Sequence, residues 1–201
     1  MLRKPLFIFC CLVLLNIFAG CAGPKPAGTP LVAPGELASE ELNTTERFRK
    51  YASIGIRPFM VDDAALLSTN SDERRETESF VKTAPGYLIK GFMSEMKGGY
   101  YRRFGEVRSD SEVNDYDLVI DGRFIEFDRG NRAARYWGTG GWTRAVVSGT
   151  MTETATGKVV VKFRDTKEGK GGSFGGDSMD LLRDNCVELG GNLPDFLEEV
   201  Y

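Results

Sequence analysis

The chain holds 201 residues, 41% of them hydrophobic, with 26 basic and 29 acidic side chains and no histidine. That length suits one globular core plus some non-globular sequence, because single domains commonly hold roughly 100 to 150 residues. Without imidazole there is no Ser-His-Asp or Cys-His nucleophile and no metal-binding imidazole, and a net charge of −3 disfavours a nucleic-acid surface; no cofactor, metal or nucleic acid is expected.

The chain begins with a basic stretch carrying Arg3 and Lys4, followed by an apolar run from Leu6 to Phe18 and then Ala19, Gly20 and Cys21. The run is about a dozen residues, the length of a secretory h-region and short of the roughly 20 that a helix needs to cross a bilayer. Residues 1–20 therefore read as a signal peptide, whose removal deletes Arg3 and Lys4 and takes the net charge to −5. Phe18-Ala19-Gly20-Cys21 resembles the lipobox of bacterial lipoproteins, with Phe18 where leucine is usual. The resemblance implies signal-peptidase recognition through Phe18, Ala19 and Gly20, cleavage before Cys21, and fatty acylation of Cys21, palmitate included. Ala22 lacks the aspartate that goes with inner-membrane retention, so the expected location is the outer membrane, facing the periplasm.

Residues 22–38 hold four prolines and three glycines and little large apolar surface. Residues 21–50 are expected to form the lipidated cysteine and a tether, with a single domain over 51–201. Tyr51 to Val61 alternates as a strand that Pro58 interrupts or exposes. A helical region follows Ser71, broken or restarted at Pro85-Gly86, its better half running to Lys97 with Leu88, Ile89, Phe92 and Met96 on one face. Tyr100 to Val107 is a short strand candidate.

From Tyr116 to Asp128, Tyr116, Leu118, Ile120 and Phe124 alternate against Asp117, Asp121 and Arg123. The parity then shifts, since Ile125 and Phe127 are apolar, which predicts a bulge or a bend covered on both sides. Trp142 to Glu153 and Lys158 to Asp165 alternate as the arms of a hairpin, with Gly157 free to take a positive φ at the turn. The glycine-rich stretch from Gly169 to Gly176 leads to a helix from about Asp177 to Leu189, and Gly190, Gly191 and Pro194 set off a last short turn. The expected fold is α+β: an antiparallel sheet of about five strands with two helices on one face, in the order β-α-β-β-β-β-α.

The strand at Tyr116 to Asp128, the segment Gly130-Asn131-Arg132-Ala133-Ala134-Arg135, the glycine loop at Gly138 to Gly141 and the Thr156-Gly157-Lys158 turn resemble a bacterial lipoprotein family, domain of unknown function 4410. The likeness covers Tyr51 to Val200 and is specific around Arg129 to Lys158; Trp142 departs from the small or charged residue expected there. It implies an envelope lipoprotein with an α+β domain and no established activity.

Gly138 to Gly141 precedes a strand and follows no βαβ unit, so it is no dinucleotide loop, and Gly171 to Gly176 lacks the lysine of a P-loop. Cys186 shares a helical face with Leu182, Leu189 and Leu193 and reads as a core thiol. The candidate contact surface is Arg129, Arg132, Arg135, Tyr136, Trp137, Trp142 and Arg144, because planar cations and large amphipathic rings are enriched at binding hot spots. The competing reading has the arginines balancing nearby carboxylates and the tryptophans covering the end of the core. The expected function is a non-catalytic envelope lipoprotein, anchored in membrane lipid through Cys21, that binds or helps assemble an envelope component, whether a protein partner or further copies of itself. The alternative is a hydrolase of envelope polymers using Glu126 and Asp128, which share side-chain parity on the predicted strand.

Overall fold

The computed structural model describes residues 36–67, 71–98, 103–171 and 176–201. The leader, the lipobox, Cys21 and most of the expected tether lie outside the described residues. The elements are β1 (Ser39–Leu42), β2 (Ser53–Ile56), β3 (Ala65–Leu67), α1 (Ser71–Val81), α2 (Ala84–Lys97), β4 (Glu106–Ser109), β5 (Leu118–Asp128), α3 (Arg132–Tyr136), β6 (Thr143–Glu153), β7 (Lys158–Gly169) and α4 (Ser178–Val200). Among the described residues this makes a mixed α+β fold with four α-helices and one seven-stranded, mostly antiparallel sheet.

The sheet runs β1-β7-β6-β5-β2-β4, with β3 alongside the far end of β5. The β6–β7 hairpin and the β5–β6 pair are antiparallel, as the alternation predicts, and Gly157 turns the hairpin with φ 67°. The β5–β6 register shifts between Phe124 and Glu126. That bulge at Ile125 brings Phe124 and Phe127, three apart in sequence, onto the same core face, with ring centroids 4.8 Å apart.

Four features depart from the expected meander. β2 pairs parallel with both β4 and β5, because α1 and α2 carry the chain back to its starting end before β4 begins. To reach the other side of β2, the segment after β4 passes over Gly55, where a Cβ would lie 2.4 Å from the Val113 Cβ. The single strand expected over Tyr51 to Val61 divides around Pro58 into β2 and a bridge at Met60, and the unexpected β3 follows beyond it, all beside β5.

The folded unit also begins upstream of Tyr51. β1 pairs with β7, the Ala38 N–H donates to Asp165 Oδ1 at 3.2 Å, and Leu37 and Phe48 are buried. Finally, α4 continues through Gly190, Gly191 and Pro194 to Val200. Those glycines serve contact with α2: a Cβ on Gly190 would stand 1.9 Å from the Leu88 carbonyl oxygen, and one on Gly91 1.9 Å from that of Val187. Helices α2 and α4 thus touch backbone to backbone over one face of the sheet, burying Leu88, Phe92, Leu182, Cys186, Leu189 and Phe196. No helix among the described residues is long and apolar enough to cross a membrane.

Candidate binding surface

The connection from β5 to β6 is shaped first by its backbone. Asp128 Oδ1 accepts from Gly130 N at 2.8 Å, and Gly130 takes φ 62° where a Cβ would stand 2.2 Å from the Gly141 oxygen. Asn131 caps α3 by accepting from Ala134 N at 3.1 Å, while its own N–H donates to Gly141 O at 2.8 Å. The Gly138 N–H returns to Arg135 O and that of Thr139 to Ala134 O. The two limbs of the loop are therefore laced together.

Arg135 points inward and is only 6% exposed. Its guanidinium donates to Gly141 O at 2.7 Å, to Arg129 O at 3.2 Å and to Ser178 Oγ at 2.7 Å, so it rivets both limbs to the first turn of α4. Burial, with Arg129 and Arg132 nearby, depresses its pKa below the ordinary arginine value. The same turn is capped by Asp177, whose Oδ1 accepts from Met179 N and Asp180 N; these bonds to the ionised form hold its carboxyl below the usual carboxylate range.

Two more of the candidate arginines are committed to protein partners. Arg129 reaches Glu76 of α1 at 2.8 Å, and Arg144 binds Glu126 at 2.6 Å. The expectation that arginines here balance nearby carboxylates is met for Arg144, and Arg129 finds a helix that local sequence could not name. Arg135 instead donates to two carbonyls and a hydroxyl.

What faces outward is Arg132, Tyr136, Trp137 and Trp142. Trp137 is 75% exposed, Tyr136 52% and Trp142 43%, so the tryptophans do not cover the core. The Tyr136 and Trp137 rings meet edge to face at 5.2 Å, and the Lys170 ammonium sits 4.6 Å from the Trp142 ring centroid. Rings this large are normally buried, and here three project from a loop whose backbone is fixed by hydrogen bonds. Lys170 and Ser178 were absent from the sequence-derived set because they arrive from the end of β7 and the start of α4.

Glu126 and Asp128 do share the sheet face away from the helices, one in an ion pair with Arg144 and the other capping Gly130. Neither lines the cleft of about 530 Å³ on that face, which lies between Arg57, Met60, Asp121, Arg123, Ser148, Thr150 and Lys162. There Arg57 and Asp121 pair at 2.6 Å across the floor formed by Gly122 and Gly149. Nothing in the local pattern flagged this cleft, since Arg57, just past β2, and Lys162 of β7 lie on opposite sides of β5. Cys186 is fully buried, and burial pushes its thiol pKa far above the ordinary value. Most of the Gly171 to Gly176 loop lies outside the described residues.

No family model matches the chain, and no curated protein sequence matches it. Among solved structures it is similar to the PelC dodecamer of Paraburkholderia phytofirmans, at 10% identity over 77% of this chain and 97% of that one, with a TM-score of 0.44. A Xanthomonas campestris protein of the family of unknown function 330 aligns at 8% identity over 74% of this chain and 87% of its own, with a TM-score of 0.39. A putative neuraminyllactose-binding hemagglutinin homologue from Helicobacter pylori aligns at 9% identity over 80% and 89%, with a TM-score of 0.33. Likenesses this distant place the chain in no family and carry no functional argument.

Proposed function

We propose that this chain is a non-catalytic lipoprotein of the bacterial cell envelope, anchored through acylated Cys21 in the outer membrane on its periplasmic side. Its folded domain contacts another envelope component through the surface made by Arg132, Tyr136, Trp137 and Trp142. The observation that supports this most is the exposure of three large rings on a loop locked by Arg135 and Asn131. A rigid aromatic surface loses little conformational entropy when it binds, which is the property of a contact site. The Phe18-Ala19-Gly20-Cys21 stretch supports the anchor, and the likeness to family 4410 belongs to the same proposal.

Two measurements test it. Growth with radioactive palmitate should label the protein, and Cys21→Ala should abolish both label and membrane association. Photo-crosslinkers at positions 132, 137 and 142 in intact cells should capture an envelope component, whereas one at position 86, on α2, should not. A Cys21→Ala protein that still takes up label would overturn the anchor; crosslinks from position 86 alone would overturn the surface.

A further inference from the structure

We propose that the component met by this aromatic surface is the bilayer itself, so that the knuckle formed by Tyr136, Trp137 and Trp142 docks the domain on the membrane that anchors it. This rests on the lipidation of Cys21 proposed above, and it follows from where the chain enters the fold.

β1 is antiparallel to β7, with Ser39 opposite Arg164. The chain therefore enters β1 from the end of the sheet where β7 finishes at Gly169, opposite Thr143. Trp142 immediately precedes that residue, α3 fills the adjoining loop, and Arg135 ties both to the start of α4. The level of Gly169 lies about 17 Å beyond Ser39, five strand residues along. Asp165 fixes this entry by accepting from Ala38 N and, through its other oxygen, from Asn192 of α4.

Fourteen residues separate Cys21 from Glu36, and the fifteen steps between them span about 50 Å at most. The lipid must sit within that reach of Glu36, and the direction of entry into β1 turns the incoming chain toward the end that carries the rings. The opposite end of β7, at Lys158, lies about 20 Å from the level of Ser39, six strand residues the other way. A surface tethered so closely is presented at roughly millimolar effective concentration, so a contact too weak to recruit a free protein suffices to orient this one.

The chemistry suits a headgroup layer. Tryptophan and tyrosine concentrate at membrane interfaces because each joins an apolar ring to a polar group. Arg132 and Lys170, both exposed beside the rings, match anionic headgroups, while Arg129 and Arg144 are neutralised by Glu76 and Glu126.

Trp137 and Trp142 are the two tryptophans of the chain, so intrinsic fluorescence reports on this surface alone. The full-length lipoprotein would be reconstituted in vesicles of phosphatidylethanolamine and phosphatidylglycerol, with and without bromine on the acyl chains. The expected result is an emission shift to shorter wavelength and strong quenching by the brominated lipid. Arg132→Glu combined with Lys170→Glu should weaken the quenching while the circular dichroism and the palmitate label stay unchanged. Label on Cys21 with emission that stays long-wavelength and unquenched overturns docking and leaves the anchor standing. Absent label overturns the anchor, and quenching in the same sample still decides docking: present supports it, absent overturns it. Unquenched emission together with a crosslink from position 137 to a protein would assign the surface to that protein instead.

Discussion

Replacing Arg135 by methionine keeps the aliphatic stem and removes the guanidinium that joins the β5–β6 loop to α4. Two strong donations are lost, to Gly141 O and Ser178 Oγ at 2.7 Å each, and a weaker one to Arg129 O at 3.2 Å. Hydrogen bonds from a charged donor contribute about 1.5–3 kcal/mol each, so the two good ones set a loss of about 3–6 kcal/mol. Against this, the variant no longer buries a cation, a cost visible in the depressed pKa of Arg135, and the Arg129 and Gly141 carbonyls can recruit water at the loop surface. The net expectation is about 2–3 kcal/mol of destabilisation. For a domain of this size that lowers Tm by roughly 4–12 °C. Urea unfolding followed by far-ultraviolet circular dichroism measures the loss, and tryptophan emission shows whether the knuckle loosens first. A loss below about 1 kcal/mol would refute the rivet and return Arg135 to the set of residues available for contact.

Gly190→Ala should cost about 3 kcal/mol despite the better helix propensity of alanine, because the added Cβ meets the Leu88 carbonyl at 1.9 Å; denaturant unfolding measures it. Gly86→Ala, in α2 with no atom within 4 Å of the new Cβ, should instead stabilise the fold by about 0.5–1 kcal/mol in the same assay. Cys186 should resist alkylation until the protein is unfolded. Its folded pKa is raised, so above about pH 8.5 the unfolded thiol ionises while the folded one keeps its proton. Stability should then fall with rising pH by at most about 1.4 kcal/mol per unit, a slope that Cys186→Ala removes. Trp137→Ala, at a site 75% exposed, should shift stability by no more than about 0.5 kcal/mol while changing the crosslinking and fluorescence of the knuckle.

The local pattern foretold the elements that answer to neighbours in sequence. Alternation placed β5, β6 and β7, the parity change at Ile125 marked the bulge, and Gly157 marked the hairpin turn. It missed β1 because Ser39–Leu42 is a short, half-polar edge strand whose partner lies more than a hundred residues away. It also ended α4 too early, since Gly190 and Pro194 read as breakers wherever the packing of a second helix is unknown.

The candidate surface divides along the same line. Its residue types were legible, because arginines and aromatic rings so close in sequence must share one connection. Which of them face outward was not: Glu76, Ser178 and Lys170, each on another element, separate the riveted arginines from the free rings.

Alone, the sequence determined the lipobox-like stretch before Cys21, the hairpin and the parity change at the bulge, all set by residues close along the chain. Only the tertiary structure decided that β2 runs parallel between β4 and β5, that α2 and α4 meet at bare backbone, and that the aromatic knuckle lies toward the end of the sheet from which the chain enters β1. Those outcomes depend on strand order and on contacts between distant residues, where burial and hydrogen bonding are settled by the whole fold and not by local periodicity.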